Sequence, residues 1–416
     1  MPGATELAAE LADEGVVALA ATPDIDDALV QLGQALFFDK VLSGNNDTSC
    51  ATCHWPTLSS VDARTLPRGV GGIGLGVDRL NGDIIPRNSP AIFHVQRLEE
   101  VFWDGRIERD GGSIASPAGG ALTAAMQAIL DPRWDLLAAQ SMFPVASREE
   151  MRGQLGENTL ADLADSDFAG IWSALRDRLV AYVEYQTLFF AAYPELTSLA
   201  DVQFAHAANA IAAFEVHAFD TLDSPLDRFV AGDQQALTAE QVRGGLEFFG
   251  DGGCAACHSG PLFTDEGFHN IGLPQFGPGK GDGGSGADDF GRERVSGNVG
   301  DRYRFRTSPL RNVALTAPYG HLGQYATLAE MVRHYTDPPA RLQSYSIVAN
   351  VVDPDLTGTL LANGADIAAR IDNRVDRRRN FDVDAVVAFL GALTSDSATD
   401  REDLIPATVP SGLAVR

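Results

Sequence analysis

All four cysteines of the 416-residue chain fall in two copies of one pattern. The first copy is Cys50-Ala51-Thr52-Cys53-His54 and the second is Cys254-Ala255-Ala256-Cys257-His258. Paired thiols followed at once by a histidine are the attachment site of a c-type haem. The thiols add across the two vinyl groups, and the imidazole ligates iron. A structural zinc site would need four converging ligands, and these pairs stand far apart in the chain. A dithiol redox motif has no use for the histidine, and a disulfide inside each C-x-x-C would strain every cysteine present. The pattern therefore makes His54 and His258 iron ligands and gives the chain two covalently bound haem c groups. Such attachment takes place beyond the cytoplasmic membrane, so a periplasmic location is expected, with any signal peptide removed.

The elements that must present these motifs read as helices. Before the first lies Leu29 to Phe38, apolar at helical spacing. Before the second, Thr238-Ala239-Glu240-Gln241 is a capping-box pattern leading into Val242 to Phe249. Each motif thus follows a helix and a short Gly- or Asn-containing turn, which resembles cytochrome c folds and reads as a diverged internal duplication. Helices are also expected over 160–192, 200–219 and 382–393. A Gly-rich segment, 276–300, reads as a long loop near the second haem. Strand signals are sparse. The expected fold is mainly α, with two cytochrome c-like haem domains. An N-terminal helix or extension covers 1–24, a first domain with a helical insertion 25–220, and a second domain 221–416.

Composition sets outer limits. Hydrophobic residues make up 45% of the chain, enough for about two or three well-buried domains. No apolar run reaches the roughly 18 residues of a membrane span. The stretch from Met1 to Ala21 lacks the basic start and apolar centre of a secretory signal and reads as an amphipathic helix. A net charge of −26 argues against nucleic acid, whose phosphates would be repelled. It suits a basic protein partner such as a small electron-carrying cytochrome, or simply a solvated acidic surface.

Further motifs make the chain resemble the bacterial di-haem cytochrome c peroxidases, a family that includes the MauG-type enzymes. Arg87-Asn88-Ser89-Pro90 and Phe102-Trp103-Asp104-Gly105-Arg106 match its first domain, and 305–319, from Phe305 to Tyr319, matches its second. The likeness runs from about Leu32 to Leu393. It implies that the first haem reacts with H2O2, with Gln140, Pro144 and Glu150 lining its distal side. An insertion, 111–132, precedes them, and Glu149 is the rival of Glu150. A carboxylate in a partly apolar pocket can have the raised pKa suited to moving a proton during O–O cleavage; alone, Arg148-Glu149-Glu150 would read as solvated surface. Trp103 matches the tryptophan between the haems, where ordinary core packing is the alternative. Asn88, Thr316 and Pro318 match a calcium site between the domains, built from the hard oxygen donors that Ca2+ prefers. The alternative there is a metal-free hydrogen-bond network. The implied activity is an H2O2-driven peroxidase that forms high-valent iron and oxidises an external donor. That donor would be a small redox protein (a cytochrome c or copper protein) or, as for MauG-type enzymes, residues of a partner protein. A competing reading is a non-enzymatic di-haem electron-transfer cytochrome.

The sixth ligand of the second haem separates the subfamilies. Many relatives use a methionine; MauG-type members have a tyrosine, and Tyr335 stands in that place. Leu328, Met331, Val332 and Tyr335 share one face of a helix begun by Thr327, so Met331 is the rival ligand. His334 lies off that face and is expected at the surface or behind the ligand. The loop over 65–78 has no histidine, so an open position at the first haem without reductive activation is expected. His94, His206 and His217 read as core or surface groups. His269 is a candidate partner of a haem propionate, and His321 a supporting residue of the second haem.

Overall fold

The computed structural model describes residues 3–351 and 353–416; Met1 and Pro2, at the start of the expected N-terminal helix, lie outside them. Nine helices carry most of the core: α1 (Ala4–Asp13), α2 (Asp27–Phe38), α3 (Asp135–Ser141), α4 (Phe168–Leu179), α5 (Val183–Ala192), α6 (Phe204–Phe219), α7 (Ala239–Phe249), α8 (Leu328–His334) and α9 (Val383–Gly391). Capping side chains set several starts. Asp26 accepts from the Ala28 and Leu29 amides, Thr238 and Gln241 form the expected capping box, and Thr327 and Asp382 cap α8 and α9. The helical stretch expected over 160–192 begins only at Phe168, where Asp167 caps it, and breaks between α4 and α5.

Each half is built on one helix crossing. Gly33 of α2 meets the Ala210 carbonyl of α6 so closely that a Cβ would lie 1.9 Å from it. Gly244 of α7 meets the Ala385 carbonyl of α9 in the same way, at 1.8 Å. Phenylalanines pack on both crossings: Phe37, Phe38 and Phe214 in the first half, and Phe248, Phe249 and Phe389 in the second. The duplication read from the cysteine motifs is thus repeated in helix packing.

Strands are short and antiparallel. β1 (Gly72–Ile73) pairs with β2 (Leu80–Asn81). β3 (Glu100–Val101), β4 (Ile107–Asp110) and β5 (Ser113–Ala115) form a three-stranded sheet. β6 (Phe268–His269) pairs with β7 (Phe305–Arg306). The insertion therefore opens with a strand, and Gln127 secures it by accepting from the Ile114 amide.

The halves are joined by buried charge and by crossed ends. Arg87 donates to Asp289 at 2.6 Å and pairs with Asp104 at 2.7 Å, all three nearly inaccessible. Arg64 and Arg68 reach Asp353. Leu7 and Leu11 of α1 join the core of the second half. Residues 398–416 return to the first: Ala398, Leu404 and Val409 enter its core, and Ser411 donates to Asp39. No helix among the described residues is long and apolar enough to cross a membrane.

Candidate haem sites

Two cavities open at the two cysteine motifs. The first is lined by Cys50, Cys53 and His54, and the second by Cys254, Cys257 and His258. Both motifs begin in a helical turn, and in each the histidine amide donates back to the carbonyl of the first cysteine. The imidazoles are oriented alike: His54 Nδ1 donates to the Ser60 carbonyl at 2.9 Å and His258 Nδ1 to the Phe263 carbonyl at 2.8 Å. That bond fixes the tautomer with Nε2 free to ligate a metal. Burial lowers both histidines' pKa, keeping them neutral. None of the four cysteines is paired in a disulfide, which leaves both thiol pairs for haem attachment. Two apolar cavities, each with a thiol pair and one prepared imidazole, fit two haem c groups.

The predicted distal residues converge on the first cavity. Gln140 comes from α3, Pro144 from a 3-10 turn and Glu150 from a π-helical turn, Arg148–Arg152. A π turn inserts one extra residue and re-aims its side chains; here the Arg152 amide reaches back to the Ser147 carbonyl at 2.8 Å. Two loops clamp it. The Gly44 amide donates to the Met151 carbonyl at 2.7 Å and the Val70 amide to that of Glu149 at 3.1 Å. Gly69 lies under the turn so tightly that a Cβ would sit 1.9 Å from the Glu149 oxygen. Glu150 lines the cavity; Glu149, its rival, does not, and its carboxylate faces the Ser147 hydroxyl. Burial raises the Glu150 pKa, opposed by Arg106 and Lys280. The Gln140 carbonyl oxygen is buried without a partner, which suits an absent donor in the cavity.

The loop over 65–78 is held rigidly. Arg79 donates from beneath it to the carbonyls of Arg68, Gly69 and Gly74. Trp103 lines both cavities, its indole N–H donating to the Asn88 carbonyl at 2.9 Å. Asn88, Thr316 and Pro318 all border the second cavity. The Asn88 amide nitrogen donates to the Arg64 and Thr65 carbonyls, which fixes the orientation of its side chain.

Tyr335 and Met331 both line the second cavity, as their shared helix face predicts. Burial, with the neighbouring cysteines, raises the Tyr335 pKa and favours its neutral phenol. His334 is fully buried rather than at the surface. Its Nε2 donates to the Ile271 carbonyl at 2.7 Å and its Nδ1 faces the Tyr325 hydroxyl at 3.0 Å, which draws the ring inward. His269 has no nitrogen left for a propionate, since Asp372 takes one at 2.8 Å and Asp265 the other at 3.1 Å. His321 stacks on Phe305 with ring centroids 3.7 Å apart.

Two residues of the first cavity had no part in the sequence reading. Lys280 comes from the Gly-rich segment, which was expected at the second haem; the Arg87–Asp289 pair pulls that segment across the junction. Glu215 projects from α6. A signal existed for both: one lysine in a glycine run, and one acid in an otherwise apolar stretch of helix.

Comparison with known proteins agrees with this chemistry. Residues 27–235 match the family model described as di-haem cytochrome c peroxidase. The chain is 31% identical over 308 residues to methylamine utilization protein MauG of Methylorubrum extorquens, covering 74% of this chain and 68% of that one. It is 33% identical over 306 residues to cytochrome c551 peroxidase of Pseudomonas aeruginosa, covering 73% and 70%. In fold it is similar to the diheme peroxidase BthA from Burkholderia thailandensis (TM-score 0.62, 20% identity, 95% of this chain and 92% of that one). A MauG-like protein associated with microbial copper homeostasis gives a TM-score of 0.62 at 24% identity, with 93% and 96% covered.

Proposed function

Because the chain belongs to the di-haem cytochrome c peroxidase family and is a di-haem oxidoreductase, we propose that it reduces hydrogen peroxide in the cavity of His54, outside the cytoplasm. The observation that carries this reading is the unpartnered Gln140 oxygen beside Glu150, in a buried cavity that also holds a haem attachment motif. Haem iron supplies the two-electron chemistry that breaks the O–O bond. The chain supplies the rest. Gln140 accepts a hydrogen bond from the peroxide, and Glu150 takes a proton from one peroxide oxygen and returns it to the other. Burial raises its pKa, the direction that suits a group which must both take and give a proton. Arg106 and Lys280 oppose that rise and favour the carboxylate form.

Trp103 lines both cavities and couples them; we assign it the transfer of oxidising equivalents. On this reading Tyr335 is the sixth ligand of the second iron, with Met331 the rival. A hard anionic ligand favours storing oxidising equivalents over accepting electrons from a soluble cytochrome, which is MauG-like behaviour. The external donor is a small redox protein or residues of a partner protein. Asn88, Thr316 and Pro318 are assigned to Ca2+; a chelator should lower the melting temperature of the holoprotein, and an unchanged value would remove the site.

The test is rapid mixing of the two-haem protein with H2O2, with and without a reduced cytochrome. Glu150→Gln should slow the absorption change by about 10²-fold or more. Equal rates in both proteins would refute the assignment. Rapid cytochrome oxidation marks a peroxidase, and a long-lived oxidised state without turnover marks a protein-modifying enzyme.

A further inference from the structure

The internal duplication supplies a comparison within one molecule. The crossings at Gly33–Ala210 and Gly244–Ala385 superpose position 210 on 385 and 214 on 389, with phenylalanine at both members of the latter pair. The next residue is Leu390 in the second half and Glu215 in the first. Each lines its own half's haem cavity. The second cavity is thus walled by a leucine where the peroxidatic cavity has a carboxyl group.

Glu215 is only 6% exposed, and its Oε2 is buried with no hydrogen-bond partner. No hydrogen bond or ion pair to its carboxyl exists among the described residues. Burial alone raises its pKa to about 8, which favours the neutral form at pH 7. A buried, unpaired carboxyl costs stability, and a leucine stands at the corresponding place in the other half. Its orphaned oxygen shares the cavity with the orphaned oxygen of Gln140, on the packed pair α3 and α6. Two unpaired polar groups facing one space suit an ordered water or a bound oxygen ligand between them.

Peroxide reduction needs more protons than Glu150 moves. Breaking O–O and forming two waters consumes two electrons, from the external reductant, and two protons. Glu150 only shifts a proton already on the peroxide from one oxygen to the other, so both added protons must enter a buried site. We propose that Glu215 is a second proton-holding residue of the peroxidatic cavity, giving its carboxyl proton to oxygen leaving as water and regaining one from solvent. This rests on the assignment of the His54 cavity as the site of peroxide reduction. The other ionisable groups lining that cavity are His54, Arg87, Arg106, Glu150 and Lys280, besides the two haem-bound cysteines.

The experiment uses the two-haem protein, its Glu215→Gln and Glu215→Leu variants, and Glu150→Gln as reference. Infrared difference spectra on reduction at pH 7 should contain a protonated-carboxyl C=O band. The band should persist in E150Q and vanish in both Glu215 variants. Steady-state kcat should fall at least tenfold in the Glu215 variants, while the bimolecular rate of the first reaction with H2O2 stays within about twofold. The idea is overturned if the wild-type band is absent, or if it survives in E215L. It is equally overturned if E215L turns over at the wild-type rate with the wild-type pH profile. Loss of the first peroxide reaction in E150Q, with normal turnover in E215Q, would sink this proposal and leave the assignment of the cavity standing.

Discussion

Replacing Gly69 by alanine tests whether the π turn places Glu150. Its Cβ would lie 1.9 Å from the Glu149 oxygen and 2.8 Å from that of Glu150, where real contacts are at least 3.0 Å. Both neighbours are backbone, so no side chain can swing aside; the turn must retreat by about 1 Å. Overpacking of this kind costs about 1–3 kcal/mol, a drop of several degrees in melting temperature. A displacement of about 1 Å at a reacting group can cost roughly 10²-fold in rate. The assay is single-turnover mixing with H2O2, followed by haem absorption, on protein with both haems loaded. Gly120→Ala is the control, because a Cβ there would meet nothing within 4 Å. Gly69→Ala should lose most of its rate while keeping the resting spectrum. A variant that is destabilised yet reacts at the wild-type rate would refute the link between turn and carboxyl position.

Three other outcomes are expected. Tyr335→Phe should alter the absorption spectrum of the second haem; an unchanged six-coordinate spectrum assigns the ligand elsewhere, with Met331 next. Asp289→Asn leaves buried Arg87 with only one carboxylate and should destabilise the protein by up to about 3–5 kcal/mol, read from urea unfolding. Glu215→Leu should stabilise it in a pH-dependent way. The native carboxyl holds its proton up to about pH 8, whereas the unfolded one releases it above 4.5. Native protein therefore binds the extra proton between these values, and stability falls by about 1.4 kcal/mol per pH unit as pH rises through that window. The variant should lack this slope, and matching slopes in the two proteins would show that Glu215 is not buried neutral.

What could be read from the chain alone was whatever rests on local chemistry. The haem motifs are complete within five residues, and the helix carrying Met331 and Tyr335 reveals its face by period alone. Gln140, Pro144 and Glu150 were placed only by their resemblance to the family's pattern, and the π turn that aims Glu150 was not foreseen, because its clamps come from Gly44 and Val70, far away in sequence. Lys280 was not singled out, because its glycine-rich segment, expected near the second haem, carries no period; the distant Arg87–Asp289 pair sets its path. Glu215 stayed hidden because a helix wheel shows which residues are apolar but not where another helix crosses. His334 was expected off the buried face, but the Ile271 carbonyl and Tyr325 hydroxyl satisfy both ring nitrogens and so permit burial.

The crossed ends bear on how the molecule comes apart. The first helix closes the wall of the second haem unit, and the final segment closes that of the first, with Arg416 lying over Trp55 beside the first attachment motif. A cut between the halves would strip a wall from both units at once, exposing apolar surface in each piece. Chemical denaturation should accordingly show one shared transition, and neither iron centre can be excised as a working module.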